Sequence, residues 1–418
     1  MKNAFSFSLV LLFLLHSTRA DFWDDFANNL ATDLAPFLAL FGEQLTKQYL
    51  SESLFPIDYF IFAMAPIGIL TALVSAVRVC GSPSLRAFVG RAQEGESAAE
   101  AELCSSTSRD VCELYNNGGI ARVLGSPNIL EAIHVPDSTP GKIHSSDPTA
   151  GLYTFEEYLR KFPQGSWQEP GASTDMEKKQ NESYKSFALK PNLSLNVGIK
   201  NRSTVWTSVA AYIGVLLQAF VCVFAALVTF YFRWPKDGKL APSYAFPMTL
   251  FGTLAVCSGV YLCAYLIGSR TRERHFIRKT PKDQSSNGHL IWIQPGGQII
   301  GDQTFDAFAF SDHDNPCKDY TTSWKRSVSA SQSPGKCAQD ELLLWSAIGT
   351  TIVGFVAQFV GLRGMHSTVS LMQLGAIVVM SGIRALLHTQ RLEKDDNAFT
   401  SCLDLVRGNE LDWVALSL

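Results

Sequence analysis

Long apolar runs dominate the chain, and most of its polar sequence is gathered between them. A helix that crosses a bilayer needs about 20 mainly apolar residues. Five segments meet or approach that length: residues 57–77, 205–232, 244–267, 342–362 and 367–383. The first, "IDYFIFAMAPIGILTALVSAV", has Asp58 at its edge and Pro66 inside, and a proline is tolerated in membrane helices. The second carries Trp206 at one end and "YFRW" (Tyr231 to Trp234) at the other, aromatic residues of the kind that settle at the membrane–water boundary. The third contains no charge. Together these runs predict an all-α transmembrane bundle of five spans.

A shorter run opens the chain. Lys2 precedes the apolar stretch from Ala4 to Leu15, and the small residues Thr18 and Ala20 follow. That pattern predicts a cleaved signal peptide over residues 1–20, cut between Ala20 and Asp21. Residues 21–56 then form an outer segment in which Phe22, Phe26, Leu30 and Leu34 recur every fourth residue, an amphipathic helix broken near Pro36.

The polar stretches divide into loops. Residues 78–204 are the longest. "EGESAAEAEL" is helix-prone, Asn116 to Gly119 read as a turn, and Thr154 with Glu157 has capping-box spacing. Residues 164–180 read as a linker. In residues 268–341, "HLIWIQPGGQIIGDQTFDAFAF" places two β-prone runs around Pro295-Gly296-Gly297, predicting a hairpin over 289–310. Small mixed α/β loop regions are therefore expected beside the bundle, with a short outer loop at 233–243 and a tail at 384–418.

Charge fixes the expected orientation. Nineteen Lys and Arg lie close to the predicted inner ends of the five spans and five close to the outer ends. By the positive-inside rule the two large loops and the tail are cytosolic and the mature N-terminus is outside. The expected location is a membrane of the secretory pathway, the plasma membrane. The basic run "GSRTRERHFIRK" reads as the inner flank of the third span. Its Arg270, Arg272, Arg274, Arg278 and Lys279 are candidate contacts for anionic lipid. A net charge of −3 gives no electrostatic case for nucleic acid.

Of nine cysteines, Cys222, Cys257 and Cys263 fall within spans. Cys80, Cys104, Cys112, Cys317, Cys337 and Cys402 fall in the cytosolic parts and are expected to be reduced. Cys80, three residues past the first span, is a candidate palmitoylation position. Asn181, Asn192 and Asn201 each begin an Asn-x-Ser acceptor. In a cytosolic loop they would carry no glycan.

Motifs for chemistry are sparse. Gly118-Gly119 through Gly125 resembles a phosphate loop only loosely and reads as a turn. "SDHDNPC" gathers Asp312, His313, Asp314 and Cys317 without paired ligand spacing, so no metal is expected. No catalytic residue and no cofactor site are expected either. Apart from Asp58, the spans hold no acid, Lys, Arg or His, which argues against a coupled transporter. Their polar candidates are Gln218, Gln358 and Gln373. Ala210 with Gly214 and Ala255 with Gly259 suit close helix packing.

The blocks "DFWDDFANNLATDLAPFLALFGEQLTKQYLSES", "APIGILTALVSAVRVCGSPSLRAFVGRAQEG", "NNGGIARVLG", "SYAFP", "IQPGGQIIGDQTFDAFAF", "GFVAQFVGLRGMHSTV" and "NELDWVAL" cover much of the chain. In these it resembles a family of fungal multi-pass membrane proteins of unassigned function. The resemblance implies a shared signal and membrane core, which some members extend into ankyrin-type repeats. It implies no catalytic residues. The expected function is that of a non-enzymatic scaffold or signalling protein. It would bind an unidentified cytosolic protein through its loops, with the segment 78–165 as the expected binding part. A channel or passive transporter and a membrane-embedded enzyme are the alternatives.

Overall fold

The computed structural model describes residues 42–105, 111–116, 119–125, 127–136, 149–163, 165–169, 204–236, 239–279, 288–312, 317–325 and 334–389, with residues 409 and 412. The expected signal peptide with Ala20 and Asp21, most of the outer amphipathic segment, most of the linker at 164–180 and nearly all of the tail beyond 389 lie outside the described residues.

The described chain begins with α1 (Glu43–Ser51), α2 (Pro56–Ala63), α3 (Ile69–Cys80), α4 (Pro83–Phe88), α5 (Glu96–Leu103) and, further on, α6 (Phe155–Lys161). Four long helices follow. They are α7 (Thr204–Ala226), continued by a π-helical turn at Leu227–Phe232, α8 (Ala245–Gly268), α9 (Pro334–Gly364) and α10 (Ser367–Leu387). All four are long and apolar enough to cross a membrane, and they match four of the five expected spans to within a few residues. Val205, Tyr212, Leu216 and Phe220 of α7 and Leu342, Trp345, Val353 and Val356 of α9 are exposed. Such contiguous apolar surface suits contact with lipid.

The remaining expected span, residues 57–77, is not one helix. It is broken at residues 64–68 into α2 and α3. Pro66 has no N–H to donate and drives the residue before it out of the α region. Ala65, just before it, takes φ 51°, a left-handed conformation rare for alanine, and Gly68 takes φ 73°. The two pieces form a hairpin whose ends meet the same end of α8. Near the start of α2, the Tyr59 hydroxyl sits so close to Gly268 that a Cβ there would fall 1.8 Å from it. At the end of α3, Cys80 Sγ lies 3.4 Å from Leu266 O. The segment therefore enters the bundle and leaves it on one side. Asp58, the one acid in this run, accepts hydrogen bonds from Leu54 and Phe55 N–H at 3.0 Å each and caps α2.

The four long helices form two antiparallel pairs. In the α8–α9 pair glycine sets the spacing. A Cβ at Gly252 would lie 2.2 Å from Gln358 N, and one at Gly354 2.7 Å from Val256 N. Gly259 and Gly361 meet Thr351 and Thr249 as closely. Small residues allow backbones to approach in this way where lipid gives no hydrophobic drive between helices. Gln358 Nε2 donates to Thr253 Oγ1 at 3.0 Å, a cross-helix bond of the expected kind. In the α7–α10 pair, Thr229 Oγ1 meets Met365 Sδ at 3.5 Å, and Gly214 abuts Met380. The hairpin wedges between the pairs and shares their core through Phe62, Ala72, Ala76, Val260, Cys263 and Met380.

The two large loops fold together. Their strands are β1 (Val111–Asn116), β2 (Gly119–Leu124), β3 (Leu130–Val135), β4 (Gly151–Thr154) and β5 (Trp167–Gln168) from the first loop. From the second come β6 (Thr271–Arg278), β7 (His289–Gln294), β8 (Gln298–Ile300), β9 (Gln303–Phe305), β10 (Phe308–Ser311) and β11 (Asp319–Lys325). One sheet has the order β10-β7-β3-β4 and another β11-β6-β5. Ala132 of β3 is paired with Ile291 of β7, and Trp167 of β5 with Arg278 of β6. Strands from loops separated by two spans thus complete one another's sheets. Phe155, Tyr158, Trp167, Phe276 and Tyr320 fill one end of the core. Trp292, Phe305, Phe308 and Phe310 fill the other, against Cys112 and Leu114 of β1.

Several local expectations are refined. Asn116 of β1 pairs with Gly119 of β2 at the end of that hairpin. Thr154 caps α6 by accepting from Glu157 N–H at 3.2 Å. The hairpin at 289–310 pairs β7 with β10, but Pro295-Gly296-Gly297 is not its tip. An inner hairpin, β8–β9, turns at Gly301 with φ 64°. The basic flank after α8 is itself a strand, β6.

Candidate functional site

The hairpin tip carries the most unusual chemistry in the bundle. A helix broken inside a membrane protein leaves backbone carbonyl groups that water cannot reach, and they need other donors. Arg384 of α10 supplies them. Its Nη2 donates to Phe62 O (3.1 Å), Met64 O (2.5 Å) and Ala65 O (2.9 Å), and its Nε to Ile61 O (3.4 Å). The guanidinium also lies 5.7 Å from the Phe62 ring centroid. These carbonyls form the C-terminal end of α2, where the helix dipole is negative and favours a cation. On the other side α1 holds the tip. Thr46 Oγ1 donates to Ile67 O at 3.0 Å, and the Tyr49 ring stacks on Phe62 with centroids 5.6 Å apart.

Arg384 was expected at the head of the tail, just past a span ending at 383. It lies instead inside α10 and is only 5% exposed. The sequence signal available was a lone arginine after an apolar run, which reads as a basic flank. Nothing local points to a partner more than 300 positions earlier. Polar groups on α7 and α10 are left without partners. Arg384 Nη1, both polar atoms of Gln218, and Ser370 Oγ are sealed from solvent and make no hydrogen bond. Gln373 is buried on the same helix as Ser370.

A second polar assembly joins the two loops. Asp312, fully buried, accepts from Arg278 Nη1 at 2.5 Å and from Leu290 N–H at 2.7 Å, with His289 Nδ1 at 3.5 Å. Arg278 also stands 5.7 Å from the Trp167 ring. Ser166 Oγ receives the Gly288 N–H at 2.9 Å and lies 3.0 Å from the Tyr158 hydroxyl. The Ser166–Gly288 bond and the Arg278–Trp167 contact cross between the loops, so the arrangement works as a seam between them. Glu131 of β3 faces Trp292 across the sheet. Its Oε1 is buried without a hydrogen bond, and burial pushes its carboxyl up to about 8.

The sequence-derived candidates are scattered. Arg278 points into the seam. Arg270 lies beside Cys80, whose thiol packs on the end of α8. Lys279 is exposed, and its N–H donates to Ser166 O at 2.7 Å. Arg272 and Arg274 sit on β6 opposite Trp324 and Thr322 of β11. Arg78, counted as an inner-flank charge, is buried between Glu94 and Glu102, and its guanidinium holds the Glu94 carboxyl below the usual range. Among the described residues no group of three His, Cys, Asp or Glu is placed to hold a metal, and His313 and Asp314 lie outside them.

Comparison with protein-family models, with curated proteins and with solved structures returns no match. The fold supports a membrane protein with four apolar helices and a strand-containing region built from its loops.

Proposed function

We propose that the protein is a non-enzymatic scaffold or signalling component of a secretory-pathway membrane, at the plasma membrane. Its working part is the β domain assembled from both large loops, and the bundle holds that domain to the bilayer. The observation that supports this reading is the strand pairing of β3 with β7 and of β5 with β6, which makes the loops one folded body. Segment 78–165 alone is half a domain, so the partner-binding unit is the pair of loops. The test is cross-linking of the full-length protein in cells, wild type against Trp292→Ala, which hollows the core at a fully buried position. Removing such a side chain costs about 3–5 kcal/mol. Cross-linked partners are expected to vanish while the four helices stay inserted. The same partners on both proteins would overturn the reading.

A channel or passive transporter is the second reading. The broken hairpin favours it, since interrupted helices inside a bundle commonly line ion or solute sites.

We also propose an orientation. Five crossings brought the signal peptide and the basic residues into agreement. With four crossings, the N-terminal segment, both loops and the tail share one face, and the two signals oppose each other. The positive-inside rule acts mainly through short loops, whereas long loops translocate largely regardless of charge. The short connections carry Arg233, Lys236, Lys239 and Arg363, so these face the cytosol and the β domain faces outward, as a cleaved signal requires. Cysteines do not oppose this. Burial pushes the Cys104 and Cys317 thiols up to about 12, which keeps them inert in an oxidising compartment. An endoglycosidase mobility shift is expected, lost in the Asn181→Gln, Asn192→Gln double variant. A protein that migrates identically before and after treatment would return the domain to the cytosol.

A further inference from the structure

We propose that the hairpin tip binds a small monovalent anion, of chloride size, between Arg384 Nη1 and the Gln218 carboxamide N–H. The charge on Arg384 comes first. All four of its hydrogen bonds go to neutral backbone carbonyls. Among the described residues no carboxylate pairs with it. The end of a helix dipole amounts to roughly half a unit of negative charge, so the guanidinium in the bundle interior is only partly offset. Buried charges in proteins are paired, because an isolated one is costly in a medium of low polarity.

The second point is the pair of orphan donors. Arg384 Nη1 and Gln218 Nε2 are both sealed from solvent without an acceptor, on residues only 5% and 8% exposed. Buried polar groups in that state are rare enough to require an account.

The third point is convergence. A Cβ at Gly214 of α7 would lie 2.9 Å from Met64 Cβ and 3.1 Å from Met380 Cε. Met64 is also the residue whose carbonyl Arg384 grips. Gln218 is one turn beyond Gly214, and Arg384 one turn beyond Met380. Helical side chains lean toward the N-terminus of their own helix. Since α7 and α10 are antiparallel, Gln218 leans back toward Gly214 and Arg384 toward Met380, so the two side chains lean toward each other across the Gly214–Met380 contact. A neutral solute would satisfy the amide and leave the charge. An anion answers the charge and the amide N–H, though not Gln218 Oε1, and one guanidinium donor with one amide donor suits a single charge.

The site does not depend on the scaffold reading. The test measures thermal unfolding of the full-length protein in nanodiscs, titrating chloride against gluconate at constant ionic strength. Chloride is expected to raise the midpoint saturably, by about 3 °C or more once it exceeds its dissociation constant a hundredfold. Arg384→Gln also loosens the hairpin, so the deciding variant is Gln218→Leu, which leaves the clamp in place and should abolish the rise. Gln358→Leu, which breaks a bond in the other helix pair, should keep it. Equal midpoints in chloride and gluconate, or a rise that survives Gln218→Leu, would overturn the proposal. Neither result touches the partner cross-linking of the β domain.

Discussion

Gly252→Leu is expected to separate α8 from α9 and destabilise the bundle by about 3 kcal/mol or more, at the upper end of overpacking costs. The reason is that its new side chain would meet backbone. A Cβ at Gly252 already falls 2.2 Å from Gln358 N and 2.6 Å from Gln358 Cα, and a main chain cannot swing aside as a flexible side chain can. Three further glycines make the same kind of approach along the pair, so a shift that relieved one contact would worsen the others. Gly349→Ala is the matched control. It lies on α9 with nothing within 4 Å of its would-be Cβ, and alanine is the better helix former by up to about 1 kcal/mol. Titration with a denaturing detergent should show Gly252→Leu unfolding far earlier than wild type and Gly349→Ala no earlier. Equal midpoints for both variants would mean that the pair is not held at its glycines.

The β domain is expected to lose stability as pH rises from about 4.5 to about 8, and Glu131 is the cause. Its carboxyl has an ordinary value of 4.5 and is raised to about 8 in the fold by burial alone. A group raised in this way stabilises the fold fully below 4.5, where folded and unfolded chains are both protonated. Above that the unfolded chain releases a proton that the folded chain keeps. Stability then falls by about 1.4 kcal/mol per pH unit until the folded carboxyl also ionises. The total is roughly 3–5 kcal/mol, a large share of what a domain this size possesses. Glu131→Gln keeps the shape and removes the proton. Unfolding followed by tryptophan fluorescence at pH 5 and pH 8 should differ strongly for wild type and little for the variant. A variant with the wild-type pH profile would clear Glu131 of the effect.

The four long helices were legible in the sequence because uniform apolar composition over 20 or more residues has few alternatives. The hairpin was not, because residues 57–77 have the same composition as a span. What separates them is small: Pro66 and Gly68 fall where they leave pieces of eight and twelve residues, each too short to cross. Its clamp was illegible for a different reason. Arg384 acts on carbonyls of α2, and backbone acceptors leave no mark in a sequence. The strands were partly legible. "HLIWIQ" and "TFDAFAF" read as β, but alternation shows that a segment is a strand and not which strand it joins. The likeness of β7 to a hairpin arm concealed its second partner, β3. Asp312 drew notice beside His313 and Cys317 as a weak metal pattern, while its actual partners, Arg278 and the Leu290 amide, came from separate runs.

The pairing of β3 with β7 sets a schedule for biosynthesis. The two strands are about 150 residues apart, with α7 and α8 between them. At roughly 5–20 residues per second, β3 is made some 8–30 seconds before its neighbour exists, and both intervening helices must be inserted before β7 reaches the same side. Throughout that interval Ala132 and Ile133 stand on an open strand edge, the kind of surface that recruits wrong partners. The first loop therefore waits, unfinished, for the membrane to be threaded twice, and a nascent chain stalled after α7 is the species most dependent on a chaperone.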